Sequence, residues 1–100
     1  MGYYNSNTPK ALKELLKDFI DDYPHRKELK RGMVLSLWSR VVGQKIAEQT
    51  EHVHFEGNRL IVHVKNPIWR HEIHMNRFSI ASKLNKEVKE KIVKEIVVRS

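Results

Sequence analysis

A small α+β fold, with helices packed on a three-stranded sheet in the order helix, helix, strand, strand, helix, strand, is predicted by three features of the sequence. Apolar residues recur every three or four positions over residues 12–23, 33–42 and 69–88, the period of helices that bury one face. Between the second and third of these runs the pattern switches to alternation on either side of Gly57-Asn58, as in a hairpin with a two-residue turn. The C-terminal IVKEIVVR is dense in β-branched residues, which suit a strand. One hundred residues, 40% of them hydrophobic, supply one modest core and no second one.

Residues 1–7 are polar and asparagine-rich, so a frayed, disordered start is expected and residues 8–100 form the single domain. Thr8 and Pro9 offer an N-cap and a first-turn proline. Leu12, Leu15, Leu16, Phe19, Ile20 and Tyr23 then line one side of a helix of about four turns, which Asp21-Asp22-Tyr23-Pro24 ends. A second helix is expected over residues 26–50, bent near Gly32 or Gly43, because glycine costs ~1 kcal/mol inside a helix. Met33, Val34, Leu35, Leu37, Trp38, Val41 and Val42 cover most of its circumference, which makes it central. Gly32, Ser36, Ser39 and Gly43 leave one smooth strip; a neighbouring helix is the expected occupant, and a phosphate backbone beside Arg40 the alternative.

In the hairpin, a turn at Gly57-Asn58 sets Phe55 opposite Leu60 and Val53 opposite Val62, with Val64 on the same, inward side. The other side then carries His52, His54, Glu56, Arg59, Ile61, His63 and Lys65. Asn66 and Pro67 read as the cap and first turn of a third helix, whose Trp69, Ile73, Ile80, Leu84 and Val88 share a sector of about 100°. This helix is expected to end near Asn85 or Lys86, and residues 92–99 to form the closing strand. Trp38, Val41, Phe55, Val62, Trp69, Ile73 and Leu84 are the expected core. Met75 and Phe78 fall outside the stripe and are exposed unless the first helix covers them.

The chain has no cysteine, which excludes disulfides, thiol catalysis and cysteine-ligated zinc. No apolar run matches a signal peptide or the ~20 residues of a membrane span, so a cytoplasmic location without a membrane partner is expected. No glycine-rich phosphate loop, Gly-x-Ser-x-Gly turn or His-Glu-x-x-His helix occurs, so no catalytic residue and no cofactor is assigned. His52 pairs with His63 across the hairpin and His54 shares their face, the one grouping with metal-ligand chemistry, and His71 and His74 lie one helical turn apart. Histidines on open strand faces are more often solvated or turned to nucleic acid, and no metal is assigned to them.

Nineteen basic against twelve acidic residues give a net +7, which favours a polyanionic partner; a basic surface that only keeps the protein soluble is the bland alternative. The excess lies beyond residue 23, because residues 1–23 carry three lysines and four acids. Lys65 ends the hairpin and Arg70 opens the third helix, so both reach one corner beside helix N-terminal amides, which themselves attract phosphate. Arg77 follows two turns on. With Arg59 and Lys83 on the same segment, and Arg40 and Lys45 alongside if the second helix lies there, these seven are the candidate nucleic-acid contacts. Arg26, Lys27, Lys30 and Arg31, next to Asp21-Asp22, are expected to matter less.

The spacing of Trp38-x-x-Val41-Val42-Gly43, Leu60-x-Val62-x-Val64, Trp69-x-x-Glu72-Ile73 and Leu84-Asn85 resembles the DciA-like family over roughly residues 29–98. The resemblance implies a domain similar to a type II KH fold, contact with single-stranded or forked DNA, and contact with a DnaB-type replicative helicase. The function it implies is a non-enzymatic module that assists helicase loading or operation. An RNA-binding or ribosome-associated module, or a protein-interaction adaptor, is the alternative. The Gly-x-x-Gly loop that clamps the backbone in KH domains is missing, as are the disordered tail and zinc ribbon of many members. If helicase contact depends on such a segment, only the nucleic-acid half of the function is expected.

Overall fold

Gly43 turns the chain where one long helix was expected. The computed structural model describes Phe19 and residues 22–100; the helix expected over residues 8–22 and the frayed start before it lie outside the described residues, save Phe19 and Asp22. Helix α1 spans Arg26–Val42 and the short α2 spans Gln44–Gln49. Gly43 between them has φ 93°, a conformation open to glycine because it lacks a Cβ, whereas Gly32 stays helical. The turn brings Thr50 back to Trp38: the indole Nε1 donates to Thr50 Oγ1 at 3.2 Å, and that hydroxyl donates to the Ile46 carbonyl at 2.7 Å. A large buried side chain thereby keeps its one polar atom satisfied.

Strands β1 (Thr50–Glu56) and β2 (Arg59–Val64) form the expected hairpin. Phe55 faces Leu60, Val53 faces Val62 and His52 faces His63, with an irregularity between Thr50 and His52. Strand β3 (Glu95–Arg99) runs parallel to β2 on its other side, with Leu60 level with Ile96 and Val62 with Val98. β3 is shorter than expected. Ile92 and Val93 are buried in the connection before it, held by Asn85, whose Oδ1 accepts from the Ile92 and Val93 amides at 3.0 and 2.8 Å while its Nδ2 donates to the Val93 carbonyl at 2.9 Å. Their β-branched side chains serve the core without extending the sheet.

The third expected helix is also two, α3 (Pro67–Met75) and α4 (Arg77–Val88). Asn76 interrupts it with φ −102° and ψ 11°, its Nδ2 donating 2.8 Å to the Glu72 carbonyl. The apolar stripe crosses the break undisturbed, with Ile73, Ile80, Leu84 and Val88 buried and Trp69 partly so, and periodicity alone therefore gives no sign of it. Helix α4 runs past Asn85 and Lys86 to Val88. Lys89 closes it at φ 58°, donating its amide to the Lys86 carbonyl, while the Glu90 amide reaches the Asn85 carbonyl, the paired bonds of a Schellman ending.

One core joins the inward side of the sheet (Leu60, Val62, Val64, Ile96) to Val34 and Trp38 of α1 and to Ile73, Ile80 and Leu84 of α3 and α4. Among the expected core residues Trp38, Val62, Ile73 and Leu84 are buried, and Val41, Phe55 and Trp69 pack partly buried against them. Two expectations are corrected. Gly32, Ser36 and Ser39 face outward, and a Cβ at Gly32 or Gly43 would meet nothing within 4 Å; among the described residues no helix packs there, because α1 docks by its Val34 and Trp38 side. Ile61, placed with the polar outer face, is 0% exposed. It sits between His54 on β1 and Val97 on β3, with Arg59 and His63 before and after it. The 3.3 Å ion pair from Arg99, level with His63, to Glu56, level with Arg59, crosses diagonally over it.

Candidate nucleic-acid interface

The corner between β2 and α3 is built by Asn66 and Pro67. Asn66 Oδ1 accepts the Ile68 amide at 2.8 Å and the Asn66 carbonyl accepts the Arg70 amide at 3.0 Å. Pro67 has no N–H to offer. The helix N-terminus is thus largely satisfied internally, which corrects the expectation of amides free for phosphate. Lys65 is 82% exposed, 3.3 Å from Glu51. Arg70 turns back: one guanidinium nitrogen donates to the carbonyls of both Val64 and Lys65, ending the strand where the ladder stops. Its first duty is to hold the corner that presents Lys65.

Further along, Arg77 donates to the His74 carbonyl at 2.8 Å and lies 3.0 Å from His74 Nε2. Its guanidinium carbon is 4.5 Å from the centroid of the Phe78 ring, a cation–π pairing. Phe78 is 76% exposed, and Met75 and Ile68 are exposed nearby. The break at Asn76 therefore turns a flat ring into solvent with a half-buried cation against it, a pairing of the kind that receives unstacked bases. Among the described residues nothing covers Met75 or Phe78.

The other candidates scatter. Lys45 on α2 lines a cleft of about 480 Å³ with Val42, Ile46, Ile68, Trp69 and Glu72, so α2 does lie beside α3. Arg40 is exposed in the last turn of α1. Arg59 pairs with Glu95 at 3.0 Å at the far end of β2, about 20 Å of strand from Lys65 at ~3.3 Å per residue. Lys83, six positions after Arg77 on α4, points about 120° away from it at ~100° per residue. Lys45, Lys65 and Arg77 flank α3; Arg59 and Lys83 do not join them.

At the start of α1 three of the four basic residues, all but the exposed Lys27, are occupied. Arg26 Nε and Lys30 Nζ each lie 3.2 Å from Glu90 Oε1, and Lys30 is buried. Burial would raise the Glu90 carboxyl, but the Lys30 and Arg26 hydrogen bonds outweigh it and hold the group below its usual range. Arg31 stands over the Phe55 ring at 5.9 Å with its Nε buried. Glu90 is some sixty positions from its partners, and no local pattern signals such a pairing.

On the outer face of the sheet, His52, His54 and His63 stack. Ring centroids are 5.1 Å (His52–His54), 5.3 Å (His54–His63) and 6.0 Å (His52–His63) apart, with planes 16–36° from parallel. Imidazole lone pairs lie in the ring plane, and three rings stacked this way do not all converge on one metal ion at bonding distance. His54 Nε2 is also 3.2 Å from Glu56 and its Nδ1 is buried without a partner. Among the described residues no three His, Asp or Glu side chains are grouped to hold a metal.

Comparison with known proteins supplies what the geometry leaves open. The family model described as Dna[CI] antecedent, DciA, matches residues 11–98. The chain belongs to the DciA family. No curated protein matches it. DciA membership implies a role connected with loading a DnaB-type helicase. The residues that suggested this family now have physical reasons. Trp38 and Gly43 make the α1–α2 turn, Leu60, Val62 and Val64 are the inward side of β2, and Leu84-Asn85 buries a leucine beside the amide that grips the β3 approach.

Proposed function

We propose that this DciA-family chain is a non-enzymatic accessory module of the cytoplasm that binds single-stranded or forked DNA and so assists a DnaB-type helicase in engaging it. Two things support the reading. Family membership supplies the helicase connection. The observation that carries the DNA half is the exposed Phe78 ring at the α3–α4 break, with the half-buried Arg77 laid against it and Lys65 and Lys45 beside α3. Lysine and arginine neutralise phosphates and set the register, and a base stacked on Phe78 adds a contact that any sequence can make, worth ~1–3 kcal/mol. Arg70 keeps the corner in shape and Arg40 extends the basic margin; Arg59 and Lys83 lie apart from it. No helix of the described residues is long and apolar enough to cross a membrane.

Fluorescence anisotropy with a labelled single-stranded oligonucleotide tests this. The Phe78→Ala variant is expected to weaken binding ~5–100-fold at every sequence, with its melting temperature unchanged because the ring is solvent-facing. DNA and RNA strands of one sequence, compared directly, separate the DNA reading from the RNA one. Capture of the helicase by the immobilised chain after nuclease treatment tests the second half. A folded chain that binds no oligonucleotide at low salt, with or without Phe78, refutes the DNA reading whatever the helicase result.

A further inference from the structure

The fixed charges on and beside the outer sheet face cancel pair by pair: Arg59 with Glu95 at 3.0 Å, Arg99 with Glu56 at 3.3 Å, and Lys65 with Glu51 at 3.3 Å. What remains is His52, His54 and His63. Imidazole is the side chain that ordinarily changes charge between about pH 5 and pH 8, so these three rings decide whether the face is neutral or cationic. Like charges within 5.1–6.0 Å repel. Protonation here is therefore favoured by an anion seated on the ring edges, and by linkage an anion binds more tightly as protons become available.

The geometry says which rings can serve. His54 is committed, one nitrogen facing Glu56 and the other buried. His52 and His63 face each other across β1 and β2, and Arg99 is next in the same row on β3. Ring centroids 6.0 Å apart allow both imidazolium N–H groups to reach oxygens of one phosphodiester at ~2.7–2.9 Å. His52 is exposed and stacked on His54, so its outer ring face can continue the stack onto a planar base. An acidic peptide could use the N–H groups but would leave the ring face idle, which favours a nucleotide.

We propose that His52 and His63, backed by His54, form a proton-coupled site for a phosphodiester and its adjoining base in a single-stranded nucleic acid, on the sheet face opposite the helices. This rests on the nucleic-acid reading above and adds a second surface to it. Binding there takes up protons, so mild acidification tightens the complex and alkaline solution releases this face while leaving the α3 contacts in place.

The test is anisotropy with a fluorescein-labelled oligothymidylate of about 15 nucleotides, at constant ionic strength, for the full chain and two double variants, His52→Gln/His63→Gln and His25→Gln/His71→Gln, the second pair being exposed histidines away from Arg77. The unmodified chain and the His25/His71 variant are expected to gain about tenfold in affinity between about pH 8 and pH 6, as one proton taken up over about one pH unit requires. The His52/His63 variant should lose that gain, bind like the unmodified chain at the higher pH and keep its melting temperature. If it retains the gain, or if the His25/His71 variant loses it, the site is refuted. Binding by the unmodified chain with no pH dependence refutes this inference and spares the nucleic-acid reading; no binding at either pH refutes both. Ring-proton resonances of His52 and His63 that respond to polyglutamate and not to the oligonucleotide would assign the face to an acidic peptide and overturn the nucleotide.

Discussion

Two stretches of this chain are about equally basic and do opposite things with their charge. At the start of α1, Arg26 and Lys30 close on Glu90 and Arg31 lies over Phe55. Beside α3, Lys65 and Arg77 remain at the surface, the second laid against an exposed ring. The first set docks α1 against the connection that follows α4; in the second, Lys65 meets Glu51 while staying 82% exposed, an ion pair weak enough for a partner's phosphate to displace. Counting charges along a sequence locates both stretches and distinguishes neither, because the difference lies in a carboxylate some sixty residues away. A basic segment is a ligand surface only to the extent that the fold has not already used it.

The scale for the docking of α1 is set at its other end. Trp38→Ala should destabilise the domain by ~3–5 kcal/mol, the usual cost of truncating a buried aromatic, out of a total of ~5–15 kcal/mol. Removing the indole also takes away the donor to the Thr50 hydroxyl, which keeps its own bond to the Ile46 carbonyl. Thermal or denaturant unfolding measures this. A melting temperature that stayed put would mean that α1 is held by its charged end and that the core assignment of Trp38 is mistaken.

Glu90→Gln tests the charged end, with an expected loss of about 1–2 kcal/mol, between the values for exposed and buried ion pairs. The pH dependence has a definite sign. The Glu90 carboxyl is held below its ordinary value of 4.5, and a carboxylate depressed on folding contributes stability that is complete above its unfolded value and disappears as pH falls through the folded one. Parent and variant should therefore differ most at neutral pH and converge in acid. Equal stabilities at neutral pH would break the comparison at its root. Oligonucleotide affinity should be unaltered at a temperature where both are folded.

The α3 side should show the converse. Lys65→Ala/Arg77→Ala is expected to cost at most about 1 kcal/mol of stability, since Lys65 is exposed and the half-buried Arg77 gives up one hydrogen bond, to the His74 carbonyl. It should reduce the slope of log affinity against log salt by about 0.7 for each single-strand phosphate that the variant no longer neutralises. If Arg26→Ala lowers that slope and the α3 variant does not, the roles of the two regions are exchanged.

Which parts of this were legible in the sequence follows from how local their causes are. The hairpin register, the outward Phe78 and Met75, and the stripe through Ile73, Ile80 and Leu84 follow from short-range periodicity and turn chemistry, and the structure has them so. The breaks are harder. Gly43 signals a bend because glycine tolerates positive φ, but Asn76 interrupts a stripe that continues unchanged on both sides. The reach of Asn85 to Ile92 and Val93 looks, in one dimension, like an early start to β3. At the candidate site, the sequence places Lys65 and Arg70 at one corner, as the structure does, but not the turning of Arg70 to the Val64 carbonyl, which depends on where β2 stops. Burial of Ile61 on the polar face requires the third strand and the diagonal Arg99–Glu56 pair.

The smallest expected effect concerns the residue that aims Glu90 at α1. Lys89 ends α4 at φ 58°, in the left-handed region where a side chain costs energy that glycine avoids. That conformation lets the Glu90 amide reach back to the Asn85 carbonyl and sets the carboxylate toward Arg26 and Lys30. Lys89→Gly should keep the ending and relieve its backbone, with the greater freedom of glycine in the unfolded chain cancelling part of the gain. The net is about 0.5–1 kcal/mol of stabilisation, or roughly 2–8 °C in melting temperature for a domain of this size. Lys89→Val should act in the other direction, since a β-branched residue is least at ease there. Combining Lys89→Gly with Glu90→Gln sharpens the contrast: if the stabilisation is purely backbone relief the two effects add, and if the αL turn matters chiefly for aiming Glu90, the gain shrinks once the carboxylate is gone.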